Sequence, residues 1–224
     1  MSQEFIAGWV AMPAWAQAGV ALFVATFLAM IFVPIYEHRR ALARFAGLAK
    51  AAGATMVPAT DELEDSFELD RGARPFRIRR GFHDSKSRTW RGPRGHLLIC
   101  ETQLGRDAWK RHGVDISSGG SQPPLDGRAF RTGDGAFDAR FTTWETGTPV
   151  REGWLDAPTR ATVMALFDAT PFAGTLWVRD GMLQQVLVVS KGTDAPTLDR
   201  LLRTLATVAM AFERTADFAS PRAS

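Results

Sequence analysis

Residues 18–36, Ala-Gly-Val-Ala-Leu-Phe-Val-Ala-Thr-Phe-Leu-Ala-Met-Ile-Phe-Val-Pro-Ile-Tyr, contain no Asp, Glu, Lys or Arg. At the α-helical rise these nineteen residues reach ~28 Å, the thickness of the hydrocarbon core of a bilayer. A run this long and this apolar reads as one membrane-spanning helix. A cleaved secretory signal is the competing reading, and three features oppose it. Residues 1–17 hold no Lys or Arg, the apolar run exceeds the usual ~7–15 residues, and Ile35-Tyr36-Glu37-His38 stands where a small-residue cleavage site would lie.

The flanks set the expected orientation. Only Glu4 precedes the span, whereas His38, Arg39, Arg40, Arg44 and Lys50 follow it, so the positive-inside rule keeps the C-terminal side in the cytoplasm. Residues 1–17 are then a periplasmic segment of a protein in a bacterial inner membrane. Trp9 and Trp15 fall near one interface and Tyr36 near the other, as amphipathic rings prefer. Along the span Ala14, Ala18, Ala21, Ala25 and Ala29 recur every three or four residues and share one helix face. In lipid, small side chains let a partner helix approach closely, so Ala18, Ala21, Ala25 and Ala29 are candidate helix-packing residues.

Residues 37–60 read as a basic juxtamembrane helix and linker. Leu42, Phe45, Leu48, Ala49 and Ala52 keep helical spacing. Arg39, Arg40, Arg44 and Lys50 occupy the polar side, where they suit either anionic phospholipid at the inner leaflet or a solvated helix packed on the domain that follows. Gly53 to Thr60 has connector composition.

Charge is segregated along the rest of the chain. Residues 1–70 carry a net −4, residues 71–131 a net +9 and residues 132–224 a net −2, which together give the modest +3. An acidic run from Asp61 to Asp70 abuts a basic one, in which Arg74, Arg77, Arg79, Arg80, Arg88, Arg91 and Arg94 form a candidate docking face. Opposite blocks this close can also neutralise one another as a charged sheet surface, each exposed pair contributing ~0–1 kcal/mol. The aromatics Phe76, Phe82 and Trp90 among these cations are compatible with single-stranded nucleic acid, but no recognised nucleic-acid motif accompanies them, which argues against that partner.

Residues 61–219 are expected to be an α+β cytoplasmic domain, mainly antiparallel sheet with two packed helices, followed by a tail at 220–224. Strand patterns cover Ser66–Asp70, Pro75–Arg80, Gly95–Glu101 and Ala136–Trp144. Gly174–Arg179 and Met182–Ser190 flank Asp180-Gly181, a strong hairpin signal. The tetrapeptide Asp-Ala-Pro-Thr occurs at 156–159 and again at 194–197, joining a capping aspartate to a first-turn proline. One helix should run from there to Ala169 with Val163, Leu166 and Phe167 inward. The other should run to Asp217 on a stripe of Leu198, Leu201, Leu202, Leu205, Val208, Ala209 and Phe212. Gly113–Gly135, rich in Gly, Ser, Pro and Asp, reads as a long surface loop.

This order of elements, with its Phe137-Asp-Ala-Arg-Phe141 segment ahead of a helix and a hairpin, resembles uncharacterised bacterial single-span membrane proteins with a small cytoplasmic α+β domain. A pleckstrin-homology-like sheet capped by the terminal helix is compatible with it. The resemblance implies no catalytic residues.

Chemistry-bearing patterns are sparse. Cys100, the one cysteine, sits in the apolar Leu97-Leu-Ile-Cys100 and reads as a small buried hydrophobe. His83, His96 and His112 have neither metal-ligand spacing nor a triad context, and Gly133-Asp-Gly135 lacks the continuation of a phosphate loop. No cofactor or metal is expected. The sequence therefore points to a non-enzymatic accessory or structural subunit of an inner-membrane complex, partnered by integral membrane subunits; an energy-converting complex, respiratory or photosynthetic, is one such host. The alternative is a membrane-tethered regulatory or binding module that recognises anionic lipid or a protein.

Overall fold

The first helix, α1 (Ala14–Ala51), runs without interruption through both the apolar span and the basic segment after it. This computed structural model describes residues 13–57, 66–82, 96–118, 127–147, 153–169, 173–188 and 193–219. Outside them lie residues 1–12, linker residues 58–60, the acidic residues of 61–65, His83, Lys86, Trp90, the candidate arginines Arg88, Arg91 and Arg94, residues 119–126 of the expected loop, Val189-Ser190 and the tail at 220–224. The described residues divide into two compact units between Phe45 and Ala46.

Within the first unit Pro34 lies inside the helix and removes one backbone donor, leaving the Met30 carbonyl without its usual intrahelical bond. Thr26, the one threonine of the span, donates its hydroxyl to the Leu22 carbonyl at 2.8 Å, which satisfies that group without a partner.

Among the described residues the second unit is built on a nine-stranded sheet, every neighbouring pair antiparallel. Its strands are β1 (Thr55–Val57), β2 (Ser66–Arg71), β3 (Arg74–Phe82), β4 (His96–Gln103), β5 (His112–Ser118), β6 (Arg128–Phe130), β7 (Phe141–Gly147), β8 (Ala173–Arg179) and β9 (Met182–Val188). They lie in the order β1-β2-β3-β4-β9-β8-β5-β7-β6. A 3-10 turn at Asp107–Lys110 precedes β5. Three further helices are α2 (Gly135–Arg140), α3 (Ala157–Ala169) and α4 (Ala195–Ala219). The fold class expected from sequence is therefore the observed one, with one short helix in addition.

The alternation of strand side chains gives the sheet two unlike faces. Phe67, Phe76, Ile78, Leu98, Cys100, Leu176, Val178, Leu183, Val114 and Ile116 form an apolar face, all buried. The inward stripe of α4 is the expected one, Leu198, Leu201, Leu202, Leu205, Val208, Ala209 and Phe212, each buried. Trp109 locks that helix in place: it is fully buried, its ring centroid lies 5.2 Å from that of Phe212, and its Nε1 donates to the Phe212 carbonyl at 2.9 Å.

Both Asp-Ala-Pro-Thr tetrapeptides cap helices as their chemistry requires. Asp156 Oδ1 accepts from the Thr159 amide at 2.8 Å and Asp194 Oδ1 from the Thr197 amide at 2.9 Å. The hairpin turn is also as expected, with Asp180 and Gly181 at φ of 51° and 77°. It is pinned from outside, because the Gly181 amide donates to the Trp109 carbonyl at 2.9 Å and its carbonyl accepts from Leu104 at 2.7 Å.

Two sequence expectations need correction. Gly113–Ser118 is no loop but most of β5, a central strand between β7 and β8. Its Val114 and Ile116 alternate with Asp115 and Ser117, and the Gly, Ser and Asp content masked that period. Arg128–Phe130 also pairs, as edge strand β6. The Ala136–Trp144 strand begins only at Phe141, because residues 135–140 are helical. Phe137 and Phe141 are four apart, a spacing that suits one helical turn as well as a strand. Asp134 decides it by accepting from the amides of Ala136 and Phe137 at 3.1 and 3.2 Å.

Gly147 and Gly133 both stand at φ of 77°, but only Gly147 is hemmed in: a Cβ there would lie 2.6 Å from the Arg111 carbonyl oxygen, whereas nothing lies near one at Gly133. Gly133→Ala should cost about 1–2 kcal/mol of stability, the left-handed penalty alone, and Gly147→Ala clearly more. Urea denaturation of the two variants checks the order, and equal losses would contradict the described packing around Gly147.

Candidate functional site

Ala18, Ala21, Ala25 and Ala29 are all exposed in this chain, as are the larger side chains of the span. Leu22 and Phe23 are 70% and 72% exposed. An 18-residue window of α1 has a mean hydropathy of 2.4 and no buried residue, so α1 is long and apolar enough to cross a membrane. Water would oppose such exposure at roughly 25 cal/mol per Å². Exposed apolar patches of this extent mark sites covered by lipid or protein.

Arg39, Arg40, Arg44 and Lys50 are exposed on the same helix. By the helical rise Arg39 and Arg40 lie about 5 Å beyond Tyr36 and Arg44 about 12 Å beyond it, so the first two stand at headgroup depth if Tyr36 marks the interface. Of the expected apolar side, Phe45 and Ala49 are buried and Leu42, Leu48 and Ala52 half-buried. The Ala52 carbonyl accepts from Arg71 Nη2 at 3.2 Å.

The candidate docking arginines that can be described sit on β3, and its alternation divides them between the two faces of the sheet. Arg74 shares the helix-packed face with Phe76 and Ile78, where it donates to Glu213 of α4 at 2.6 Å and to the Gln103 carbonyl at 2.6 Å. Arg80 falls on the same side by parity. Arg77 and Arg79 point to the other face, Arg77 bonded to Glu68 at 2.8 Å and Arg79 to Glu101 at 3.2 Å. Arg71, from the same basic block, pairs with Asp199 of α4. These partners come from both sides of the acidic and basic blocks, so much of the cationic character read from the sequence is neutralised locally.

Sequence reasoning missed the polar face itself. Register carries one row of side chains straight across it: Ala129, Trp144, Asp115, Trp177, Gln184, Glu101, Arg77, Glu68 and Thr55. Glu101 is 6% exposed and holds both Arg79 and Gln184. Asp115, equally buried, bonds Arg179 Nη2 at 2.8 Å, and that guanidinium lies 4.9 Å from the Trp177 ring centroid. Burial raises the Asp115 carboxyl above its ordinary value, against the opposing pull of Arg179. The alternating Val114-Asp115-Ile116-Ser117 was the available signal, hidden once β5 was read as loop.

On the opposite face a second buried cluster joins Trp109, Trp154, Phe212, Glu145 and His112. Trp154 Nε1 donates to Glu145 Oε1 at 2.9 Å, and Arg128 reaches Glu145 Oε2 at 2.6 Å. The His112 ring lies 6.0 Å from Trp109, and neither of its nitrogens has a hydrogen-bond partner among the described residues. Cys100 is wholly buried as expected, and burial, with Glu101 adding to it, pushes its thiol up to about 12. Such a thiol is not a ready nucleophile. Among the described residues no group of three or more His, Cys, Asp or Glu is placed to hold a metal ion.

No known family matches the chain, and no curated protein matches it. Among solved structures it is similar to the crystal structure of the mycobacterial trehalose monomycolate transport factor A, with a TM-score of 0.49 and 11% identity over 80% of this chain and 95% of that one.

Burial lowers the His112 pKa below 6.5, with Glu145 opposing and Arg111 assisting. The folded state thus takes up this proton less readily than the unfolded chain. The resulting stabilisation is full above pH 6.5 and is lost as pH falls below it. Denaturation midpoints should drop between about pH 7 and 5, and His112→Leu should flatten that drop; an unchanged pH profile in the variant would remove His112 from the account.

Proposed function

We propose that the chain is a membrane-anchored, non-enzymatic accessory subunit of a bacterial inner-membrane complex. Its one span packs on helices of integral partner subunits through Ala18, Ala21, Ala25 and Ala29, and its sheet domain docks on the cytoplasmic side. The observation that carries this reading is the wholly exposed apolar length of α1, in which a small-residue side faces away from bulky Phe23 and Phe27. Without a hydrophobic drive between helices in lipid, close backbone approach is what association there requires. Arg39 and Arg40 then lie among anionic headgroups, at roughly 1 kcal/mol each. That contribution favours the orientation with the N-terminus periplasmic.

Two experiments bear on this reading. In intact cells, a cysteine introduced by Ser2→Cys should be labelled by a membrane-impermeant maleimide, and one introduced by Arg106→Cys should be labelled only after lysis. The reverse pattern would invert the orientation. Affinity purification from native membranes in mild detergent should return a stoichiometric integral membrane partner, and Ala21→Leu with Ala25→Leu should reduce its recovery at least tenfold, about 1.4 kcal/mol. Phe23→Leu should leave recovery intact. A free monomer from the unaltered chain would end the proposal.

A further inference from the structure

We propose that His112 is a proton-operated latch, whose protonation frees the C-terminal half of α4 from the sheet while the strands stay paired. The ring sits where such a device would act. It is 2% exposed, it lies 6.0 Å from the Trp109 ring, and neither of its nitrogens has a hydrogen-bond partner among the described residues. Trp109 is what holds that half of the helix: its Nε1 donates to the Phe212 carbonyl at 2.9 Å, and its ring meets those of Phe212 and Trp154 edge-on at 5.2 and 5.8 Å. Trp154 closes the group, 5.9 Å from Phe212 and donating to Glu145 Oε1.

A neutral imidazole with two unpaired nitrogens already weakens this cluster, and a buried imidazolium without a partner is far less tolerable. The surrounding charges show why the closed arrangement does not absorb it. Register puts His112 opposite Gly147 and Val114 opposite Glu145, so Glu145 is the diagonal neighbour on the same face, within reach of a long side chain. Both of its oxygens are engaged, Oε1 by Trp154 at 2.9 Å and Oε2 by Arg128 at 2.6 Å. Arg111, next in the chain, opposes a second positive charge. On the 3-10 turn Lys110 and Asp107 pair with each other at 2.7 Å. On α4 Glu213 is held by Arg74 and the Gly105 amide, and Arg214 by Asp156. Arg179, at the end of β8, is bound to Asp115 on the opposite face. A proton on His112 either stays unpaired beside Trp109 or draws Glu145 away from Trp154, and both loosen the aromatic group around Phe212. The sheet ladders do not share this dependence, because backbone bonds carry them from β1 to β6. Burial holds the His112 pKa below 6.5, so the open state takes the proton more readily and the closed state is lost as pH falls.

The test is amide hydrogen exchange of the full chain in detergent micelles, read by mass spectrometry at about pH 7.5 and about pH 5.5 and corrected for intrinsic exchange rates. An ordinary histidine is about ten parts protonated to one at the lower pH. Protection of residues 208–215 should therefore fall severalfold, up to about tenfold, while that of β4 and β9 changes less than about twofold. His112→Leu should leave protection of residues 208–215 the same at both pH values. If that variant does not fold, His112→Gln, which keeps a polar group that does not titrate, takes its place. The proposal is overturned if residues 208–215 keep their protection at the lower pH, if the sheet loses protection in step with them, or if the variant shows the pH dependence of the unaltered chain.

Discussion

A helix in hydrocarbon must satisfy its own backbone and show lipid nothing that needs water. Residues 18–36 meet that demand except at the Met30 carbonyl, which Pro34 leaves without its usual donor: they lack charge, their threonine is bonded back to Leu22, and their side chains stand exposed along the helix. This stretch contributes no buried core.

In the second unit the sheet separates two kinds of work. One face meets α4 through aliphatic residues and the aromatic group of Trp109, Trp154 and Phe212, whose indole N–H groups both find partners. That face explains stability. The other face is lined by ion-paired side chains, Glu68 with its register partner Arg77 and Glu101 diagonally with Arg79, ending in the Asp115 and tryptophan group. Such pairs contribute little to stability when exposed. Their continuity across the strands gives the sheet a polar surface of fixed pattern rather than a uniformly basic one.

Much of this was legible in the residues. The span, the two Asp-Ala-Pro-Thr caps, the Asp180-Gly181 hairpin and the α4 stripe rest on strong local chemistry, and each appears in the structure. β5 did not, because its polar alternate positions, Asp115 and Ser117, with Gly113, have the composition of a loop, and only pairing on both edges makes it a strand. The Phe137–Phe141 spacing fitted two periods, and an Asp134 cap chose the helix. The arginines from Arg74 to Arg94 form one run in the sequence, which lists charges in line; of those described, on β3, alternate residues go to opposite faces, and carboxylates distant in sequence, such as Glu213, reach them there. The Trp144, Asp115 and Trp177 grouping joins three strands separated by long intervals of chain, and no local pattern announces it.

The central claim, that a small-sided span of this chain packs on another membrane protein, is tested most directly by photo-crosslinking in native membranes. A benzoylphenylalanine replacing Ala25 should yield a discrete protein adduct of defined mass, while one replacing Phe23, on the opposite side of the helix, should label lipid. Lipid adducts alone from both positions would contradict the account and leave α1 as a simple anchor.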